Sequence, residues 1–279
     1  MHIPTKALFA LAVFSLLQAC TTAAPIWIEQ QFIPSANLID ARFQDADETS
    51  EAVVDHAAWQ GFLDTYLIED ASGVNLVAYD RVTDDDRNTL DIYLDTLKSI
   101  EVASLNHDEQ LSFWINLYNA ETVALILDNY PTSSIRTINR AWRKTVTTVN
   151  GLDLSLGDIE HSIIRPIYQD NRIHYAVNCA SIGCPNLGQQ AYTGSTLDRQ
   201  LDEAAKGYIN HPRGVTVADG KVQVSRIYGW YKEDFGSEND VLEHIRSFAA
   251  PALLKALGDT NQIDDYEYDW NLNIAPIAK

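Results

Sequence analysis

Residues 111–131, LSFWINLYNAETVALILDNYP, decide how the rest of this chain must be arranged. At 3.6 residues per turn the apolar side chains of this stretch fall on every side instead of one stripe, which predicts a helix buried all round. Asn106 stands where an N-cap belongs, Asp108 and Glu109 follow in the first turn, and Pro131 supplies the stop. Asn116 and Asn119, three residues apart, share a face of that helix. A buried amide without a partner costs about 1–3 kcal/mol, so both require partners.

Outward from this helix, the preceding sequence reads as helical. Ser50 is expected to start a helix bearing Val53, Val54, Ala57, Ala58, Phe62, Leu63, Tyr66 and Leu67 at helical spacing, with Trp59 on its flank. Tyr79 to Asp84 is short and extended or turning, and Asp85 to Ile100 repeats Leu90, Tyr93, Leu94 and Leu97 as an amphipathic helix.

Beyond the helix the sequence changes character. Lys144 to Val149 alternates, turns at Asn150-Gly151 and returns through Leu152 to Leu154, the pattern of a hairpin. Ser155 is placed to cap a helix over 157–165 that Pro166 closes. Ile173 to Asn178 reads as a strand, Thr196 to Asn210 as a helix, and residues 215–224 as a hairpin about Asp219-Gly220. A helix over 240–248 and an aromatic tail from Tyr266 to Trp270 complete the chain. Helices first and hairpins afterwards, without regular strand-helix alternation, indicate α+β: a helical N-terminal part with a central buried helix packed on a small antiparallel sheet. No phosphate loop or dinucleotide fingerprint occurs, and no cofactor is expected.

Charge narrows the partners. The chain has 39 acidic and 20 basic residues, a formal net charge of −19. Binding to nucleic acid needs clustered Lys and Arg that displace counterions, and here the basic residues are scattered among acids.

The first residues read as an export signal. Lys6 precedes an apolar run from Ala7 to Leu17 that spans about 16 Å as a helix, too short for a bilayer core of about 30 Å. Leu17-Gln18-Ala19-Cys20 resembles a bacterial lipobox, with Cys20 as lipid acceptor and first mature residue; cleavage by an ordinary route near Ala23-Ala24 is the alternative. By the same resemblance, Thr21 after the cysteine favours the outer membrane. The implied organisation is a signal peptide over 1–19, a lipidated tether and lead-in over 20–50, and one α+β domain over 51–279. The protein is then expected to be extracytoplasmic, held to a membrane through the lipid on Cys20.

Reactive side chains are densest between His174 and Pro185. Alternation along a strand would put His174, Ala176 and Asn178 on one face with Cys179 at its end. An imidazole close to a thiol can lower the thiol pKa, as a nucleophilic cysteine requires, and Glu160 or Asn119 would orient the ring. Against this catalytic set of Cys179, His174, Glu160 and Asn119 stands a structural reading. Once Cys20 is lipidated, Cys179 and Cys184 are the remaining cysteines, and an oxidising compartment lets them close a small disulfide. A metal site fits the spacing poorly and none is expected. Tyr228, Trp230, Tyr231 and Phe235, beside Lys232, Glu233 and Asp234, either line a groove for a peptide or glycan ligand or pack as the start of a helix.

Phe113 to Ala120, Asp158 to His161, His174 to Pro185, Ile227 to Gly236 and Tyr268 to Asn273, in this order, resemble the DUF547 family over roughly residues 75–273. The resemblance implies a compact α+β domain near the papain and transglutaminase-like folds, whose enzymes use Cys, His and an acid or amide. A cysteine-dependent hydrolase or transferase acting on peptide or amide bonds would follow, with Cys179 as nucleophile and His174 as base. Here the central helix carries Asn116 and Asn119 where such a fold presents its cysteine. The alternative is a non-catalytic lipoprotein that binds a peptide, glycan or protein partner.

Overall fold

A computed structural model describes residues 25–276; the leader and Cys20 lie outside the described residues. The central helix runs His107–Asp128, with the Asn106 side chain accepting the Glu109 N–H at 3.0 Å, and every residue from Glu109 to Ile126 is buried. Helices Ala57–Tyr66 and Asp84–Lys98 pack around it, the second burying Leu90, Tyr93, Leu94 and Leu97.

Residues 51–56, expected in the first helix, are irregular. A helix capped at Ser50 would bond the Val54 N–H to the Ser50 carbonyl. Tertiary contacts take both groups instead: Val54 N–H donates to Glu109 Oε1 at 2.8 Å, and Asn106 Nδ2 donates to the Ser50 carbonyl at 3.1 Å.

Seven strands occur among the described residues, in three small sheets. Strands β1 (Leu67–Glu69) and β2 (Asn75–Val77) pair antiparallel, as do β3 (Thr145–Val149) and β4 (Leu152–Ser155). The third sheet is β5 (Val215–Ala218), β6 (Lys221–Ser225) and β7 (Asp265–Glu267); β5 and β6 are antiparallel, and β7 joins β6 in parallel. Both predicted hairpin turns form with positive φ at their two central residues, Asn150 at 48° and Gly151 at 77°, Asp219 at 50° and Gly220 at 73°. That conformation matches the twist of the flanking strands and selects Asn, Asp and Gly. The class is α+β.

Apolar side chains gather in two clusters. The larger surrounds the central helix; the smaller joins Tyr208 of helix Leu197–Ile209 and Leu242 and Ile245 of helix Glu238–Phe248 to Val222 and Val224 of β6.

Two further expectations change. The helix begun by Ser155, whose capping box with Asp158 is complete, does not stop at Pro166. It runs Leu156–Ile159, widens into a π-turn over Glu160–Ile164 and continues Arg165–Tyr168. Pro166 has no N–H to give an upstream carbonyl, so a local widening accommodates it. Nearby carbonyls are taken from outside: His161 O accepts from Asn37 N at 3.2 Å and Ser162 O from Ile39 N at 3.0 Å. The lead-in is thereby stitched onto the domain, and Phe43, 2% exposed, sets its ring edge-on to Trp114.

The stretch 173–178 is not a strand. Asp170 accepts the Arg172 N–H at 2.8 Å and starts a 3-10 helix, Asn171–Tyr175. Residues 176–178 have no strand partner; Asn119 of the central helix supplies both halves of one, donating to the Ala176 carbonyl at 2.9 Å and accepting from Asn178 N at 2.8 Å. Asn116 does the same for Tyr192, at 2.8 and 2.9 Å. The two buried amides therefore hold loops on the central helix.

Candidate functional site

The π-turn and the helical turns Ile227–Trp230 and Lys232–Phe235 bring together a largely buried cluster of charge. Arg165, its side chain 1% exposed, grips Asp234 with Nε to Oδ2 at 2.6 Å and Nη2 to Oδ1 at 2.9 Å. It also reaches Glu233 at 3.2 Å and the Pro34 carbonyl at 2.7 Å. His174 Nε2 lies 2.7 Å from Asp234 Oδ2, its ring stacks on Tyr231 at 4.0 Å, and its Nδ1 is buried without a partner. Burial alone would raise the Asp234 carboxyl, but the bonds from His174 and Arg165 hold it at about 2. A guanidinium fork together with an imidazole nitrogen makes this a strongly favoured geometry for a partly buried carboxylate.

Glu160, buried on the π-turn, accepts the hydroxyls of Tyr118, at 2.9 Å, and Tyr231. Burial opposes its charge, yet the donating hydroxyls of Tyr231 and Tyr118 help hold the carboxyl below its ordinary value. Burial, reinforced by that carboxylate, pushes both phenols well up, so they are donors throughout the neutral range. Burial lowers His161, and its Nδ1 faces Arg165 Nη1 at 3.2 Å, as suits a neutral ring accepting from a guanidinium.

Next to this cluster lies a more open region. Cys179 and Cys184 are joined in a disulfide. The loop between them is clamped: Asn178 Nδ2 donates to the Pro185 carbonyl at 2.7 Å, Ala180 N donates to Asn178 Oδ1 at 2.8 Å, and Gly183 N donates to the Asp269 carbonyl at 2.8 Å. A Cβ on Gly183 would come within 2.6 Å of the Asp269 nitrogen, so only glycine fits that crossing. The Tyr268 hydroxyl lies 3.1 Å from Cys179 Sγ and 3.0 Å from Cys184 Sγ. Burial raises the Tyr268 phenol.

Tyr268 is also one ring of a half-exposed aromatic face. Its centroid is 4.7 Å from Trp230 and 4.7 Å from Trp270, Trp270 is 6.1 Å from Trp142, and Arg136 lies 5.1 Å over Trp270. Beside Tyr268 opens a hollow of about 570 Å³ lined by Gly183, Arg213, Asp269 and Asn271.

Of the residues singled out in sequence, Glu160 and His174 share the largely buried cluster through Tyr231, Cys179 faces Tyr268 and Cys184, and Asn119 is engaged with backbone. The contacts of His174 run to Asp234, Tyr231 and Phe235. Asp234 as the partner of His174, Arg165 behind it, and Tyr268 on both sulfurs escaped the sequence reading. A charged triplet inside the aromatic run 227–236 was the available signal for Asp234. Tyr268 lies some ninety positions from Cys179 and left none. Among the described residues no three His, Cys, Asp or Glu side chains converge as a metal site.

Fold and site thus define an α+β protein with a largely buried Arg-Asp-His core next to a disulfide loop and an aromatic face. Residues 102–209 match the family described as "Protein of unknown function, DUF547", a region that holds the central helix, Glu160, His174 and both cysteines of the loop. No curated protein and no solved structure matches the chain.

Proposed function

We propose that this protein is a lipid-anchored lipoprotein facing the cell envelope, which binds a peptide or glycan chain across Trp142, Trp230, Tyr268 and Trp270. One observation carries the reading: these four partly exposed rings form one run of ring-to-ring contacts, and Tyr268 within it lines the hollow that Arg213, Asp269 and Asn271 share. Aromatic faces supply apolar area at small entropic cost, and a few convergent polar groups fix orientation. Anchorage rests on the leader and Cys20; Trp27 and Phe32, 62% and 77% exposed shortly after that cysteine, suit a membrane interface.

Intrinsic tryptophan fluorescence, titrated with soluble oligosaccharides and with short peptides, tests the proposal. One class is expected to shift the emission saturably, and Trp270→Ala to weaken that binding about tenfold, as removal of one stacking ring does. An unchanged Kd in Trp270→Ala and Trp230→Ala would remove the aromatic face from consideration.

A second reading, a cysteine-dependent hydrolase or transferase on peptide or amide bonds, has one observation in its favour. Asp234 holds one nitrogen of His174 while the other has no partner, the relation of an orienting acid to a base. Here Asp234 takes the orienting role that the sequence offers to Glu160 or Asn119, and Cys179 acts only as a free thiol. Turnover of amide substrates after reduction, abolished in Cys179→Ala and in His174→Asn, is its signature.

A further inference from the structure

We infer that the Cys179–Cys184 bond is a thiol-exchange site whose substrate is a dithiol, which attacks Cys179 and expels Cys184. The two sulfurs differ in access and in surroundings. Cys179 is half-buried, whereas Cys184 is 4% exposed. An incoming thiolate reaches Cys179, and access is one of the factors that select the sulfur attacked.

The buried sulfur is the one equipped to leave. Cys184 Sγ accepts from Cys179 N–H at 3.0 Å and from the Tyr268 hydroxyl at 3.0 Å. Donors already in place stabilise a developing thiolate, and a leaving thiol of lower pKa departs faster. Arg213 adds positive charge on the same side, its guanidinium held on the carbonyls of Ile182 and Cys184 at 2.8 and 2.9 Å.

The loop does not depend on the bond for its shape. Asn119 fixes its approach at Ala176 and Asn178, Asn178 spans it to Pro185, and Tyr208 donates to the Gly183 carbonyl at 2.6 Å. After reduction both thiols therefore stay within reach of each other, which makes the exchange reversible. The inference holds whether or not a ligand occupies the aromatic face.

In the first step one thiolate of the dithiol bonds to Cys179 Sγ, the S–S bond breaks, and its electron pair leaves on Cys184 Sγ. The second thiolate of the dithiol then attacks its own sulfur in the mixed disulfide and displaces Cys179. The dithiol ends as a disulfide and the protein as two thiols, two electrons having passed and protons following the thiolates.

The test uses the oxidised full chain, folded and without denaturant. A monothiol, 2-mercaptoethanol, has no second thiol to close the intramolecular second step, and an alkylating agent present during the reaction caps the expelled thiolate and blocks its return, so the mixed disulfide is trapped and a peptide map locates it. The expected result is the adduct on Cys179 with Cys184 alkylated. With dithiothreitol, reduction is expected to outpace global unfolding, and Tyr268→Phe to slow it roughly tenfold, the loss of one hydrogen bond to a thiolate. An adduct on Cys184, adducts divided equally, or reduction only at the rate of global unfolding overturns the inference. Because the position of the adduct is read on the unaltered chain, the test stands even if the Tyr268→Phe protein folds poorly.

Discussion

The cluster around Arg165 and the face around Cys179 lie side by side, yet they are built on opposite plans. Around Arg165 the guanidinium and imidazole are buried and satisfied through Asp234, whose carboxylate keeps 16% exposure beside a hollow of about 350 Å³. Around Cys179 the rings are left half-covered, with a hollow of about 570 Å³ beside them. The region around Arg165 has the residue types of an active site, whereas the ligand site proposed above lies on the aromatic face. A His with an orienting Asp is as suitable for clamping two helical turns to a π-turn as for chemistry, and exposure separates the two uses.

The contrast is most severely strained by Arg165→Met. Asp234 then stays buried without its main cation, and breaking such a pair costs about 3–5 kcal/mol. Urea unfolding should show that loss; a change below about 1 kcal/mol would mean that the cluster is more open than described.

Acid should act on the region around Arg165 next. Asp234 is held at about 2 when folded against an ordinary 3.8, so its contribution is complete above about pH 4 and is lost as pH falls through 2. The difference corresponds to about 2 kcal/mol. Urea midpoints from pH 7 to pH 2 should fall more steeply for the natural chain than for Asp234→Asn.

Removing the disulfide touches the open region. Cys179→Ala with Cys184→Ala opens a loop whose ends are 5 positions apart and should cost about 2 kcal/mol, with no effect on the state of Arg165. A loss as large as that of Arg165→Met would show that the two regions are one cooperative unit.

The smallest effect is expected from Trp230→Phe. The ring persists, but its Nε1–H no longer donates to Glu29 Oε2, a 2.6 Å bond that fastens the lead-in. About 1 kcal/mol should be lost, and amide exchange should rise first in residues 26–32.

Much of the fold was legible because its signals are local. The all-round apolar pattern of 111–131 and the Asn-Gly and Asp-Gly turns act over one or two turns of chain, and tertiary packing agreed with them. The start at Ser50, the stop at Pro166 and the strand at 173–178 failed where a distant residue competed for the same backbone groups: Asn106 and Glu109, then Asn37 and Ile39, then Asn119. The candidate site shows the same division. Sequence alone singled out the candidate residues, Cys179, Cys184, His174 and Glu160 among them. Only the tertiary structure decided that Asp234 partners His174 and that Tyr268 lies on both sulfurs. The physical reason is that alternation and capping are set by neighbours in the chain, whereas burial and hydrogen-bond partners are set by whichever residue folding brings alongside.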